Sequence, residues 1–147
     1  PAMLDRDWIA AHIPHQGTMC LLDAVVDWSP TAIRCLARSH ATLDNPLRAD
    51  GRLGAACGIE YAAQAMAVHG ALLAGIDDPP RQGYLTSVRA VSLHVARLDD
   101  LPGELAITAE CLGGDRNVLY RFAVHHGADC LLEGRAAVVL DAQAFGA

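Results

Sequence analysis

Apolar and polar residues alternate along the second half of the chain, as in strands of a sheet with one buried face. In one such segment Tyr120, Phe122 and Val124 occupy every second position. Glycine and proline residues separate these segments, which is typical of turns in an antiparallel meander. We predict four strands here: Gly83–Val95, Leu105–Cys111, Val118–His125 and Cys130–Leu140.

The first half of the chain predicts a short helix, two strands and a loop. Asp5–Ile13 places apolar residues on neighbouring turns and is ended by Pro14, which predicts the helix. Met19–Trp28 and Thr31–Arg38 are apolar and predict strands. The polar segment Leu43–Arg52 contains proline and glycine and predicts the loop.

A long alanine-rich helix is predicted from about Gly54 to Ala74, and the acidic and proline residues at 77–80 end it. Nearly every side of this helix is apolar, which indicates that protein surrounds it. One antiparallel sheet of about six strands wrapped around this central helix would bury it. The pattern therefore predicts an α+β fold and a single domain that covers residues 1–147.

Composition narrows the class of function. Apolar residues make up 52% of the chain, which predicts a folded core. The net charge of −6 argues against nucleic-acid binding, which needs a strongly basic face. Charged residues interrupt any early apolar run, so no signal peptide is predicted. Leu53–Ile76 is long enough to cross a bilayer but too weakly apolar, so we expect a cytoplasmic protein without membrane contact.

The cysteines and histidines show no metal or disulfide pattern. There are five cysteines, an odd number, with no Cys-x-x-Cys pair, which predicts reduced thiols. His125 and His126 are a bare pair, and the chain has no His-x-x-x-His sequence. We therefore expect neither a metal site nor a cofactor.

Glu60 is the candidate for chemistry, because its neighbours in the predicted helix are Ala, Gly, Ile and Cys. A carboxylate buried there without a partner is costly, so it should be neutral or face a cavity. Burial raises the pKa of a carboxyl group and makes it a usable acid near neutral pH. Gln64 lies one turn further along the same face and could hold the Glu60 side chain. The alternatives are a surface or dimer contact for Glu60 and a loop contact for Gln64.

Three segments resemble the hotdog-fold 3-hydroxyacyl-carrier-protein dehydratases of fatty-acid synthesis. Pro14-His15 followed by Met19–Val25 resembles their opening, and Gly58–Ala65 resembles their central helix. Gly83–Leu98 followed by Pro102-Gly103-Glu104 resembles the strand and turn that come next. The similarity extends from about residue 12 to 140. The variant of the central helix is still more similar to small dehydratase-like proteins of aryl-polyene and polyketide-type gene clusters.

The resemblance implies a hotdog fold and dehydration of a thioester bound to an acyl carrier protein or CoA. Glu60 would act with a histidine, and the backbone N–H groups near Gly54 and Ala55, at the start of the helix, would bind the thioester oxygen. A homodimer is expected, because one sheet with one helix leaves long edges exposed. The sequence does not decide whether the dimers assemble further. The carrier protein is acidic; Arg81, Arg89 and Arg97, spaced by eight, could share a face that binds it, or be ordinary solvated arginines.

The sequence departs from these dehydratases at the catalytic histidine. Their histidine lies in a loop before the helix, where this chain has residues 43–58 without any histidine. The candidates to replace it are His15, His40 and Asp50. Each also has a structural explanation: His15 as a folding residue, His40 as a solvated loop residue and Asp50 as a turn or helix-cap residue. Gln64 and Asp50 are also expected to contact the substrate. His69 is half a rotation from Glu60 and faces away.

Three functions therefore stay open. The first is a dehydratase that uses Glu60 and a relocated histidine, and the second is a hotdog thioesterase in which Glu60 activates water. The third is a non-catalytic acyl-binding partner of an active dehydratase. An imidazole within about 6–8 Å of the Glu60 carboxyl would favour catalysis.

Overall fold

The alternating segments form strands of one antiparallel sheet that packs against a single long helix. The computed structural model describes residues 3–75 and 84–139. The elements are β1 (Leu4–Asp5), α1 (Arg6–His12), β2 (Ala24–Ser29), β3 (Ala32–Ala37), α2 (Gly58–Ala74), β4 (Tyr84–Leu93), β5 (Leu105–Gly113), β6 (Asn117–His126) and β7 (Asp129–Val139). The strand order is β1-β2-β3-β5-β6-β7-β4, and every neighbouring pair is antiparallel. The predicted α+β architecture is confirmed, with a seventh strand because β1 adds two residues to the edge.

The core lies between α2 and the inner face of the sheet. Alternate residues of β6, including Tyr120, Phe122 and Val124, are buried, as the period of two predicted. Buried residues of α2 occur on several sides of the helix, since the sheet curls around it: Gly58, Tyr61, Ala62, Gln64, Ala65, Met66, Val68, His69 and Ala71. Within the described ranges no helix is both long and apolar enough to span a membrane. All five cysteines are free thiols, as expected.

The predicted strand Met19–Trp28 begins later than the sequence indicated. Gly17–Met19 forms a 3₁₀ turn, and β2 starts only at Ala24. The reason is that the Met19 carbonyl and the Leu21 N–H bond to the side chain of Gln64 instead of to a neighbouring strand. An apolar run therefore serves here as a connection pinned to α2.

Within residues 3–75 and 84–139, β4 forms one edge of the sheet and pairs only with β7. Its register shifts between Leu85 and Ser87 and again between Arg89 and Ser92. Ala90 lies in the second shift with a φ of 52°, in the left-handed region that residues with a Cβ rarely adopt. Such bulges bend an edge strand and interrupt its row of free backbone groups.

Gly58 permits the close approach of α2 to β7. A Cβ at this position would lie 2.6 Å from one Cδ of Leu132, which is fully buried. We expect Gly58→Ala to lower the free energy of unfolding by about 1–3 kcal/mol, because the overpacked core must shift, although alanine is the better helix former. Urea unfolding measures this. Gly54→Ala is the control, since a Cβ there meets nothing within 4 Å, and equal stability of the two variants would contradict the prediction.

Candidate active site

His15 and Glu60 meet at the start of α2. The His15 Nε2 atom lies 3.3 Å from Glu60 Oε1. Their side chains are 26% and 35% exposed respectively, so a ligand can reach both. Glu60 belongs to the first turn of α2, and His15 follows α1 directly after Pro14. The structure thus brings an imidazole to the predicted carboxyl, well inside the distance that favours catalysis.

The expected raised pKa of Glu60 is wrong for the free protein. The hydrogen bond with His15 is the largest influence and lowers the pKa of Glu60. Burial raises it, and the contact with Gln64 lowers it further, so the net direction is downward. The carboxyl is also only half-buried. Glu60 is therefore ionised at neutral pH in the absence of substrate.

Gln64 is fully buried and ties α2 to the segment that follows His15. Its Oε1 accepts a hydrogen bond from the Leu21 N–H at 2.9 Å, and its Nε2 donates to the Met19 carbonyl at 2.7 Å. The same Nε2 lies 3.5 Å from Glu60 Oε1, at the outer limit of a hydrogen bond. The predicted contact with Glu60 exists but is weak, and a contact with substrate stays a prediction.

The end of α1 fixes the position of His15. The Gln16 Nε2 atom donates to the carbonyls of Ala10 and Ile13, at 2.8 and 3.3 Å, and so closes the turn that carries His15. The Nδ1 atom of His15 is buried and has no hydrogen-bond partner among the described residues. The ring nitrogen that contacts Glu60, Nε2, is therefore the one that can take part in chemistry.

The segment before α2 presents backbone N–H groups next to small residues. Ala55–Cys57 forms a 3₁₀ turn that leads into α2, and no side chain caps either element. Ala55, predicted to help bind the thioester, is buried and donates its N–H to the Ala96 carbonyl at 3.1 Å. Gly54 and Ala56 are exposed, and neither N–H donates to another residue in the described part of the chain. These two are the donors that a thioester oxygen can use here.

His40 does not lie in a solvated loop, as had been expected. A 3₁₀ turn over Ser39–Ala41 directs its ring inward, where it is fully buried. Its Nε2 lies 2.9 Å from the Leu101 carbonyl, and burial lowers the pKa of the ring. The His40 side chain is therefore held in the core by its contact with Leu101.

Asp50 is exposed at the tip of a tight turn. Ala49 and Arg52 exchange backbone hydrogen bonds of 2.9 and 3.0 Å, and Asp50 has a φ of 52° between them. Asp is one of the few residues that tolerate this conformation, which agrees with the turn role considered for it. Its predicted contact with substrate remains untested.

His69 faces away from Glu60, as its half-rotation predicted. It is fully buried against the sheet, with Nδ1 2.7 Å from the Tyr120 hydroxyl and Nε2 2.8 Å from the Ser29 carbonyl. Both ring nitrogens are therefore satisfied by the fold, and burial lowers the pKa of this imidazole.

The predicted basic face is only partly present. Arg81 lies outside the described residues, and Arg89 is exposed on β4. Arg97 lies beyond the end of β4, and its guanidinium pairs with Asp99. The expectation that Arg97 continues a free basic face is therefore wrong, because its charge is neutralised by that carboxylate.

Sequence reasoning missed the polar residues that hold the loop before α2. The Tyr61 hydroxyl lies 2.7 Å from Ser39 Oγ and accepts a hydrogen bond from Asn45 Nδ2 at 3.0 Å. Asp99 accepts the Leu53 N–H at 2.9 Å. The signal that could have found the first group is Tyr61 itself, because a buried phenol in an apolar helix needs a partner. The partners themselves lie 16 and 22 positions away and carry no local signal.

Two of the clefts elsewhere on the described surface are larger than a third of about 70 Å³. One of about 300 Å³ is lined by residues of β2, β3, β5, β6 and β7, including Trp28 and Arg121. The other, of about 230 Å³, is lined by Arg6, Cys20 and Ser39, among others. Neither is lined by His15 or Glu60.

Comparison with known proteins gives a family match over most of the chain. Residues 8–145 match the family described as ApeP-like, ApeP dehydratase. No curated protein matches the chain in sequence. Among solved structures, a chain of the dehydratase heterocomplex ApeI:P from Xenorhabdus doucetiae is 23% identical with a TM-score of 0.79, over 96% of this chain and 93% of that one.

Two further solved structures share the fold at lower identity. A mutant thioesterase from Pseudomonas aeruginosa is 13% identical with a TM-score of 0.60, over 92% of this chain and 94% of its own. A sigma28-regulated virulence protein from Campylobacter jejuni is 14% identical with a TM-score of 0.64, over 94% and 91%. At these identities the similarity establishes the fold alone, and the predicted hotdog architecture is confirmed.

Proposed function

The chain belongs to the ApeP-like dehydratase family, and on that basis we propose that it converts a 3-hydroxyacyl thioester to the trans-2-enoyl thioester and water. The observation that carries the proposal is the 3.3 Å contact between His15 Nε2 and Glu60 Oε1. Elimination of water needs a base for the proton at C2 and an acid for the leaving hydroxyl. A partly exposed imidazole–carboxyl pair can supply both.

His15 takes the role of the histidine that is missing from the loop before α2. His40 is buried in the core and His69 lies on the opposite side of the helix, so neither competes with it. The position of His15 is held through Gln16 and through the hydrogen bonds of Gln64 to the following segment. A base held by the fold in this way needs little reorganisation before proton transfer.

The reaction needs one proton on the pair, held by Glu60 as the acid, with His15 as the base. In the free site the hydrogen bond with His15 lowers the pKa of Glu60, which favours the ionised carboxylate. A substrate that enters between the two side chains breaks that hydrogen bond and leaves burial as the main influence, which raises the pKa of Glu60. Glu60 can then take up the proton that it donates in the reaction.

The reaction moves one proton from C2 to His15 and one proton from Glu60 to the departing hydroxyl. His15 Nε2 removes the proton from C2, and the electrons of that C–H bond form the C2–C3 double bond. The C3–O bond breaks while Glu60 donates its proton to the departing hydroxyl, which leaves as water. Negative charge that develops on the thioester oxygen is stabilised by the N–H groups of Gly54 and Ala56 at the start of the helix.

The substrate is proposed to be linked to an acyl carrier protein or to CoA, and the working form to be a dimer. The exposed side chains of Leu85 and Leu93 lie on or at the end of the open edge strand β4, which a second subunit would cover. Light scattering of the purified chain measures the oligomeric state.

The test is to incubate the purified chain with 3-hydroxyacyl and enoyl thioesters and to follow both directions of the reaction. Wild type is expected to interconvert them, and Glu60→Gln is expected to lose this activity. Glu110→Gln is the matched control, because this carboxyl is exposed on β5 and pairs with Arg121 at 3.2 Å. Turnover that survives Glu60→Gln unchanged would remove Glu60 from the mechanism.

Two alternatives appear as separate outcomes of the same assay. Release of free thiol without enoyl product would identify a thioesterase in which Glu60 activates water. No product at all from the isolated chain would favour an acyl-binding subunit that works beside an active dehydratase. The second alternative is supported by the relative from Xenorhabdus doucetiae, which is described as part of a dehydratase heterocomplex. Activity that appears only after a partner dehydratase is added, and persists with Glu60→Gln, would establish it.

A further inference from the structure

Three side chains with different metal-binding atoms lie together where β4 ends and β7 begins. His94 Nε2 lies 3.0 Å from Glu133 Oε2, and Cys130 Sγ lies 3.5 Å from the same oxygen. The three donor atoms all lie within 4.8 Å of one another. None of these residues belongs to the site formed by His15 and Glu60.

The sheet fixes the spacing of this cluster. The His94 N–H donates to the Leu131 carbonyl at 2.8 Å, and the preceding residue Leu93 pairs with Leu132. The backbone that carries His94 is therefore locked beside the strand that carries Cys130 and Glu133. Donors placed by paired strands lose little conformational entropy when they bind an ion.

The distances suit a small divalent ion. With Zn–N, Zn–O and Zn–S bonds of ordinary length, tetrahedral coordination places N and O about 3.4 Å apart and S and O about 3.6 Å apart. The observed separations of 3.0 and 3.5 Å require only small side-chain rotations to reach those values. Imidazole, thiolate and carboxylate are also the ligand types that zinc prefers in proteins.

We propose that His94, Cys130 and Glu133 form a binding site for one Zn²⁺-class divalent metal ion. Binding replaces the thiol proton of Cys130, which is released to solvent, and gives a neutral site from one thiolate, one carboxylate and the dication. A fourth position is open to water or to His125, which pairs directly with Cys130 in the β6–β7 register. The sequence predicted no metal site, because its ligands come from two strands whose pairing leaves no local motif.

The ion would join the edge strand to the body of the sheet. Among the described strands, β4 pairs only with β7. Beyond His94 the chain continues to Ala96, whose carbonyl accepts the Ala55 N–H of the segment before α2. Zinc bound across His94 and Cys130 would therefore stabilise this edge. Free metal at about ten times its dissociation constant should raise the midpoint of thermal unfolding by on the order of 5 °C.

The test uses the full chain without an affinity tag, under reducing conditions, with Zn²⁺ and Co²⁺ as probes. Wild type is expected to bind one ion per chain, and Co²⁺ to give a thiolate-to-metal charge-transfer band. Cys130→Ser should abolish the band and weaken Zn²⁺ binding at least about tenfold, since changes even outside the direct ligands cost this much. His94→Ala should weaken binding similarly.

Cys111→Ser is the matched control, because it removes a half-buried thiol of β5 that is outside the cluster. It should keep the band, the stoichiometry and the thermal shift. Circular dichroism of each variant without metal establishes that it is folded. The proposal is overturned if wild type gives no charge-transfer band, or if folded Cys130→Ser binds Zn²⁺ as tightly as wild type.

Discussion

Replacing His15 by Asn or Glu60 by Gln is expected to lower the turnover of a 3-hydroxyacyl thioester by about 10²–10⁴-fold, the usual contribution of a positioned acid or base. The double variant should be hardly worse than the poorer single variant, because two groups that share one proton act as a unit. Measuring kcat and KM separately checks this, since loss of proton transfer lowers kcat and leaves binding largely intact. Losses that multiply in the double variant would show that the two residues act independently.

The same variants have a readout that does not depend on activity. The hydrogen bond with His15 is the main reason that the pKa of Glu60 is low, so His15→Asn should raise that pKa. A ¹³C NMR titration of the Glu60 carboxyl measures it directly. In wild type, kcat/KM should fall on the acid side only at a pH below the ordinary pKa range of a glutamate. The reason is that the pH profile of kcat/KM reports pKa values of the free enzyme. An unchanged Glu60 titration in His15→Asn would mean that the contact does not persist in solution.

Replacing His69 by Leu is expected to lower the free energy of unfolding by about 2–4 kcal/mol. The change leaves the buried Tyr120 hydroxyl and the partly buried Ser29 carbonyl without this partner. The loss at a buried group costs about 1–3 kcal/mol, and the added apolar contact offsets part of the total. Tyr120→Phe completes a double-mutant cycle, and the double variant should recover part of the loss. Additive effects in urea unfolding would contradict the hydrogen bond.

The pH dependence of stability follows from the same histidine. Burial lowers the pKa of His69 in the folded state, and the pKa of His40 shifts in the same direction for the same reason. Below about pH 6.5 the unfolded chain therefore binds protons that the folded chain does not, so wild type should lose stability as the pH falls through this range. His69→Leu should show a shallower decline. Equal slopes for the two proteins would mean that His69 is protonated in the folded state.

The sequence predicted the strands and the helix well because their patterns are local. The alternation of Tyr120, Phe122 and Val124 decides which face of β6 is buried, and the structure agrees. The start of β2 was misplaced because an apolar run looks the same whether its backbone pairs with a strand or with the side chain of Gln64. Side-chain to backbone bonds across more than forty positions leave no pattern to read.

Glu60 as the main residue of the site stays a prediction, while its electrostatics were misjudged. The apolar neighbours of Glu60 suggested burial and a raised pKa. The contact with His15 reverses that direction, and it depends on how α1 and α2 pack. His40 shows the opposite error, since a histidine in a polar stretch looked solvated but is held in the core by the carbonyl of Leu101.

The bulge at Ala90 also bears on how this protein behaves in concentrated solution. A regular open strand would let copies add end over end into growing fibrils, each extending the hydrogen-bonded ladder of the last. The left-handed residue and the two register shifts break β4 into stretches too short to template such growth. The edge can therefore bind a partner of matching shape, but it does not support the repeated strand addition that leads to precipitation.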